Sequence, residues 1–170
     1  TELVNLQNSI LNGEVVTREP AYYAGGTAAA HSGQDWGNTY AEVDMSAQHM
    51  WYIQNGQVVL ETDVVTGEPI PSKITPEGVY SLMWKQPNSV LVGDINPDTG
   101  EPAYRTKVKY WMQVTSSGVG FHDATWQTAF GGTLYQIPGT GSHGCINMPL
   151  DQAGALFNMI EPGTPVIFHW

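Results

Sequence analysis

Residues 49–62, HMWYIQNGQVVLET, restrict the fold of this chain more than any other stretch. Two runs rich in β-branched and aromatic residues flank Asn55-Gly56, and that pair supplies the positive φ angles a two-residue hairpin turn demands. A chain carrying this hairpin is committed to antiparallel sheet, and its neighbours read the same way. TYAEVDM alternates just upstream. VVTGEPIPSKITPEGVYSLMW reads as strand, Pro-rich loop, strand. AYRTKVKYWMQV predicts a further strand, a turn follows at Ser116-Ser117-Gly118, and GVGFH climbs to His122. TPVIFHW closes the chain as a last strand. Helical spacing occurs twice: Leu3, Leu6, Gln7 and Ile10 between Glu2 and Leu11, and Leu150, Ala153, Phe157 and Ile160 from about Pro149, with proline in the first turn and Pro162-Gly163 as the stop. The expectation is a mainly β domain with one short helix behind the loop that carries the chain's single cysteine.

Two segments fall outside that rhythm. Residues 17–37 have little periodicity, so residues 1–37 are read as an N-terminal extension, the tail of a preceding module or a linker, ahead of a domain at 38–170. The chain starts at Thr1 rather than Met and is read as a piece of a longer protein. Lys85 to Pro102, which includes NPDTGEP, is polar and turn-rich. It is expected to be a long loop, either a lid over a cleft or a passive surface excursion.

Charge narrows the function classes. Six basic against sixteen acidic residues give a formal net charge of -10, which argues against nucleic acid as a partner, because phosphate neutralisation needs clustered cations. Three of the six, Arg105, Lys107 and Lys109, alternate and would share one strand face, either solvated or substrate-facing. One cysteine excludes an internal disulfide framework and Cys-rich zinc modules. No apolar run approaches the roughly 20 residues of a membrane helix.

The cysteine itself sits in PGTGSHGCINMP, a glycine-rich loop rather than an apolar run. His143 lies two positions before Cys145 and would share its face in an extended segment. Gly144 permits close approach of a substrate, and the N–H groups of Gly144 and Cys145 could hold a carbonyl oxygen as charge develops on it. His122, at a strand end, is a second candidate base. A free thiol of pKa about 8.5 is mostly protonated at neutral pH, and an adjacent imidazole can make the thiolate–imidazolium pair the working form. Against this stands a cysteine that is only a small buried hydrophobe. His31, His49 and His169 have no comparable neighbours and are read as structural or surface residues. Gly131-Gly132 and the glycines of the cysteine loop lack the spacing and the lysine of a phosphate loop.

FHDATW followed by GSHGCINMP resembles the signature of the YkuD-type catalytic domain of the L,D-transpeptidases of bacterial cell walls: a His, a spacer, then Ser/Thr-His-Gly-Cys, one residue and Asn. TYAEVDMSAQHMWYIQNGQVVLETDVVTG, TPEGVYSL and GTPVIFHW are similar to the family's opening strands, threonine–proline turn and closing strand, so the resemblance runs from about Asn38 to Trp170. It implies a YkuD-like β-sandwich and no cofactor or metal. Cys145 would be the nucleophile and His122 the general base; the residues alone leave His122 and His143 both open for that role. Ser142 and His143 would shape the pocket, Gly144 and Cys145 would supply the oxyanion donors, and Asn147 would pin the loop. Asp123, if in a strand, faces away from His122, which makes a backbone carbonyl the expected orienting group. Trp126 and Tyr104 are candidate pocket walls or core aromatics.

The resemblance further implies cleavage of a peptidoglycan tetrapeptide stem after its third residue, release of D-alanine, and capture of the thioester by an acceptor amine to give a 3→3 cross-link. It implies acylation by β-lactams, carbapenems in particular, and work outside the cytoplasmic membrane at the cell wall, reached by export or an anchor upstream of Thr1. Three other readings stay open: an L,D-carboxypeptidase with water as acceptor, a zinc site from His122, His143, Cys145 and Asp123, and a non-catalytic wall-binding module. No coiled-coil pattern argues for an oligomer.

Overall fold

A period-two sequence buries one face of a strand, as at Tyr40–Asp44, while Gly120–Asp123 and Ile146–Met148 are buried on both faces where the two sheets meet. The structure, a computed structural model, describes residues 36–170. The expected helix at Glu2–Leu11, most of the expected 1–37 extension and His31 therefore lie outside the described residues. The strands are β1 (Tyr40–Asp44), β2 (His49–Gln54), β3 (Gln57–Asp63), β4 (Gly78–Ser81), β5 (Trp84–Val92), β6 (Arg105–Gln113), β7 (Gly120–Asp123), β8 (Ile146–Met148) and β9 (Pro165–His169). One helix, α1 (Leu150–Met159), follows β8. The first sheet has the order β3-β2-β1-β9-β4, the second β5-β6-β7-β8, and together they form a β-sandwich.

Local chemistry sets the first sheet. Asn55 and Gly56 both adopt positive φ, 52° and 77°, and close the β2–β3 hairpin as their types predict. The alternate residues Ala41 and Val43 of β1, Met50 and Tyr52 of β2, and Val166 and Phe168 of β9 are at most 1% exposed. From the second sheet Met112, Phe121, Ile146 and Met148 meet them, all fully buried, and the rings of Phe121 and Phe168 cross edge to face at 6.0 Å between centroids. Burial on this scale is what holds the two layers: truncating one such aromatic costs roughly 3–5 kcal/mol. β9 joins β1 in parallel, so the last strand closes the sheet beside the first.

Two expectations change. The 85–102 segment is not a loop throughout, since Trp84–Val92 pairs with β6 in one antiparallel register from Trp84↔Gln113 to Val92↔Arg105, interrupted only at Asn88. Pro87 and the polar residues hide the strand in the sequence. β5 is an edge strand, where a missing N–H is tolerated and polar side chains meet water. Only residues 93–104 connect it to β6. The helix face also differs: Ala153, Gly154 and Leu156 are buried with Ile160 just beyond the end, while Leu150 and Phe157 are half-buried. Pro149 stands at the N-cap, one position before the first turn, and its carbonyl accepts the Ala153 N–H at 2.9 Å. Asp151 complements the positive end of the helix.

Candidate active site

The loop before β8 is short of regular structure, so its shape must come from elsewhere in the chain. Residues 64–68, just past β3, run alongside it. Val65 and Asn147 exchange N–H···O bonds of 3.0 and 2.9 Å, Ser142 N–H donates to the Thr66 carbonyl at 3.0 Å, and Glu68 N–H to the Ser142 carbonyl at 3.1 Å. Thr75 adds a clamp: its hydroxyl donates to the Gly144 carbonyl at 2.8 Å and accepts the Gly67 N–H at 2.9 Å, all within the protein interior. The Glu68 carboxylate accepts the Gly139 N–H at 2.9 Å and pairs with Lys73 at 3.0 Å. Those contacts, the Gly139 N–H first, hold the Glu68 carboxyl below its ordinary range.

Within the loop Ser142 is the organiser. Its hydroxyl donates to the Cys145 carbonyl at 2.6 Å and accepts the Gly144 N–H at 3.0 Å. Gly144 has a φ of 118°, and an added Cβ would press on Val119 at 3.3 Å, so only glycine fits this turn without strain. The consequence corrects one expectation: the Gly144 N–H is already engaged by Ser142, whereas the N–H groups of His143 and Cys145 have no hydrogen-bond partner among the described residues. His143 and Cys145, not Gly144, present free backbone donors.

A cleft of about 470 Å³ opens over this loop, and Cys145, His122, His143, Trp126 and Tyr104 all line it. Sequence reading named these five; Leu91, also in the lining, went unnamed because its segment was read as a loop, and Thr106 went unnamed although its strand was read. Cys145 is half-buried, and its thiol donates to the Gly118 carbonyl at 3.6 Å. Burial pushes the thiol up to about 11, and a backbone hydrogen bond from Gly120 offsets part of that.

His122 is 3% exposed on β7. Its Nδ1 lies 3.1 Å from the Asp123 carbonyl, the backbone orienting group expected, and that contact assigns the proton to Nδ1 and leaves Nε2 as the basic nitrogen. The imidazole packs between Trp111 and Trp126, with centroids at 6.0 and 5.8 Å. Burial pushes His122 below its ordinary value, against the opposing Asp123 carbonyl and carboxylate. The raised thiol and the lowered imidazole both favour the neutral form at rest. Desolvation opposes both charged forms.

His143 is exposed, and its ring lies 5.1 Å from that of Tyr104. Trp126 is 51% exposed and Tyr104 half-buried, so both are cleft walls rather than core aromatics. The Asp123 carboxylate points away from the cleft and accepts the Lys109 and Tyr110 N–H groups at 2.7 and 2.8 Å. The proposed zinc set therefore does not converge. Asn147 pins the loop through its backbone, while its side-chain amide donates to Gln127 Oε1 at 2.5 Å and its Oδ1 is buried without a partner. Gln127 in turn reaches the Thr140 carbonyl at 3.3 Å.

Three unread residues thus hold the site: Thr75, Glu68 and Gln127. Thr75 lies in the TPEGVYSL segment noted for its family likeness, which was a signal. Nothing local marks Glu68 or Gln127.

Comparison with known proteins adds to this geometry. Residues 38–168 match the YkuD family, described as the L,D-transpeptidase catalytic domain. L,D-transpeptidase 1 of Mycobacterium tuberculosis is 30% identical over 126 residues, 72% of this chain and 47% of that protein. The chain spans less than half the length of the curated relatives it matches. Among solved structures, a cysteine-to-serine mutant of the Enterococcus faecium L,D-transpeptidase superposes with a TM-score of 0.72 at 42% identity, covering 99% of this chain and 63% of that one. The E. faecium catalytic domain acylated by ertapenem gives 0.65 at 46% identity, over 78% of this chain and 97% of that one.

Proposed function

This chain belongs to the YkuD family of L,D-transpeptidase catalytic domains, and on that premise we propose that its cleft performs acyl transfer on peptidoglycan stems with Cys145 as the nucleophile. The observation that carries the reading is the pairing, in one cleft, of the chain's only thiol with a buried imidazole whose Nδ1 is tied to a backbone carbonyl. A base must be neutral to accept a proton, and burial keeps His122 neutral.

The steps follow from that arrangement. Cys145 Sγ attacks the carbonyl carbon between the third stem residue and the terminal D-alanine as its proton passes to His122 Nε2. The carbonyl oxygen takes up negative charge, which the free N–H groups of Cys145 and His143 stabilise. The C–N bond breaks, His122 returns the proton to the leaving amine, and D-alanine departs, leaving a thioester on Cys145. The side-chain amine of a second stem's third residue then attacks, gives a proton to His122, and expels the thiolate, which is reprotonated. A 3→3 amide cross-link and the free thiol result.

Trp126 and Tyr104 form walls against which the stem is held, and the hairpin residues Leu91 and Thr106 limit access of water. The relative solved with ertapenem attached supports β-lactams, carapenems among them as the resemblance implies, as acylating inhibitors of Cys145. The substrate places the working site at the cell wall, outside the cytoplasmic membrane.

The test is product analysis by mass spectrometry after incubation with a tetrapeptide stem. Cross-linked dimer and free D-alanine from the unaltered protein, and neither from Cys145→Ala, are expected. Tripeptide without dimer replaces the acceptor amine by water, making a carboxypeptidase. No product from folded protein with a matched stem returns the chain to a binding role.

A further inference from the structure

The basic side chains of β6 noted in the sequence are not used by the acyl-transfer site. Arg105, Lys107 and Lys109 project from β6 on its exposed side, while Thr106 and Val108 between them turn inward. Alternate residues of a strand lie roughly 6.6–6.8 Å apart, so the three cations form a row about 13 Å long. Opposite them on β5, Val90 and Val92 are 50% and 49% exposed, in register with Lys107 and Arg105. Asn88, which lines the same groove as Lys109, has a φ of 53°. The inward residues of the same hairpin, Leu91 and Thr106, line the Cys145 cleft. One hairpin thus shows the cleft one face and solvent a cationic one.

The row is unusual in being unpaired. Sixteen acidic residues are available in a chain of net charge -10, and the other two described Lys or Arg side chains each hold a carboxylate: Lys73 with Glu68 and Lys85 with Glu161, both at 3.0 Å. Among the described residues no ion pair engages Arg105, Lys107 or Lys109. Beside the row lies a groove of about 430 Å³ lined by Lys107, Lys109, Asn88, Ser89 and Thr125, among others. Asp123 is the carboxylate in that groove, and its Oδ1 already accepts two backbone N–H groups. The groove therefore offers ammonium, hydroxyl and amide donors beside one carboxylate, of which Oδ1 is already engaged by the backbone. Such a set suits a carboxylate.

The geometry leads us to infer that the outer face of the β5–β6 hairpin is a docking rail for the carboxylate-bearing peptide stems of the polymeric wall, separate from the stem bound at Cys145. It rests on the proposed substrate: a tetrapeptide ends in a carboxylate, and a wall presents many such stems in rows. Charge complementarity selects them on a molecule whose overall field repels polyanions. The two faces of one hairpin then hold the same polymer, one stem at the thiol and its neighbours along the row.

The experiment is co-sedimentation with insoluble peptidoglycan stripped of phosphodiester polymers, across a salt series, using Cys145→Ala protein so that nothing is turned over. Binding should fall steeply with salt, and Arg105→Gln/Lys107→Gln/Lys109→Gln should weaken it on the order of ten-fold and flatten the salt dependence. Amidating the wall's carboxylates should produce the same loss. Arg105→Lys/Lys107→Arg/Lys109→Arg, which keeps the charge, should bind within about two-fold of the parent, separating charge from damage to the fold. Equal binding by the triple Gln variant overturns the rail. So does binding that survives amidation, or that exists only while phosphodiester polymers remain. Turnover of a soluble tetrapeptide by the unaltered protein tests the Cys145 reading separately, and its failure leaves the sedimentation result standing.

Discussion

His122 and His143 line the same cleft as Cys145, yet almost nothing else about them agrees. His122 ends a strand, is 3% exposed, holds the Asp123 carbonyl through Nδ1 and lies between two indoles. His143 sits in the loop, exposed, with the Tyr104 ring beside it. The first is oriented by a backbone carbonyl. The second has no side-chain hydrogen bond among the described residues to orient it. Proximity in sequence favours His143, two residues from the thiol, but a base is selected by a held geometry and a neutral resting form.

Removing the thiol sets the scale for any attack on this contrast. Cys145→Ala should abolish cross-linking and D-alanine release, read by mass spectrometry. Below that, His122→Gln should lower kcat/KM by about a hundred- to ten-thousand-fold, whereas His143→Gln should cost on the order of ten-fold, mainly through KM, because it loses a wall and keeps its backbone N–H. Equal losses, or the reverse order, would break the comparison.

The pH profile sharpens it. A His whose pKa is lowered stays neutral to lower pH, so the acid limb of kcat/KM should fall below the ordinary histidine value of about 6.5. A limb at or above that value would shift the base to an exposed imidazole or to a resting thiolate–imidazolium pair.

Smaller effects probe what holds the loop. Thr75→Val leaves the Gly67 N–H and the Gly144 carbonyl without their partner and should cost roughly 1–3 kcal/mol in denaturant unfolding, with a reduced kcat. An unchanged midpoint would mean the clamp contributes nothing. Glu68→Gln should act least. The lowered Glu68 carboxyl contributes stability above its unfolded value, and that contribution is lost as pH falls through the lowered one. Parent and variant should therefore differ in thermal midpoint near neutrality and converge in acid. A gap that persists in acid would assign the effect to packing.

Much of the first sheet was legible because its signals are local. Asn55-Gly56, the alternation of β1 and the apolar run of β9 need only neighbours one or two residues away. The β5 strand was missed for the complementary reason: as an edge strand bearing Pro87 and polar residues, it takes its structure from pairing with β6, not from its own pattern. The helix was placed well, but its buried face was turned away from Leu150 and Phe157 toward Leu156, because the strands beneath decide which stripe is covered.

The site divides in the same way. Cys145, both histidines and the turn around Gly144 are adjacent in sequence or carry a motif, so residue order alone nominates them. Which N–H groups are free was settled by Ser142 folding back on Gly144, and a contact of that kind depends on the turn's actual shape. Glu68 reaches Gly139 across 71 positions and Thr75 reaches Gly144 across 69. Residue types and their spacing determined the candidate nucleophile, the hairpin and most of the first sheet. Tertiary structure alone decided which histidine is buried and tied to a backbone carbonyl, that burial disfavours charge on both thiol and imidazole, and what clamps the loop. Desolvation and long-range hydrogen bonds are sums over neighbours distant in the chain, and no local pattern contains them.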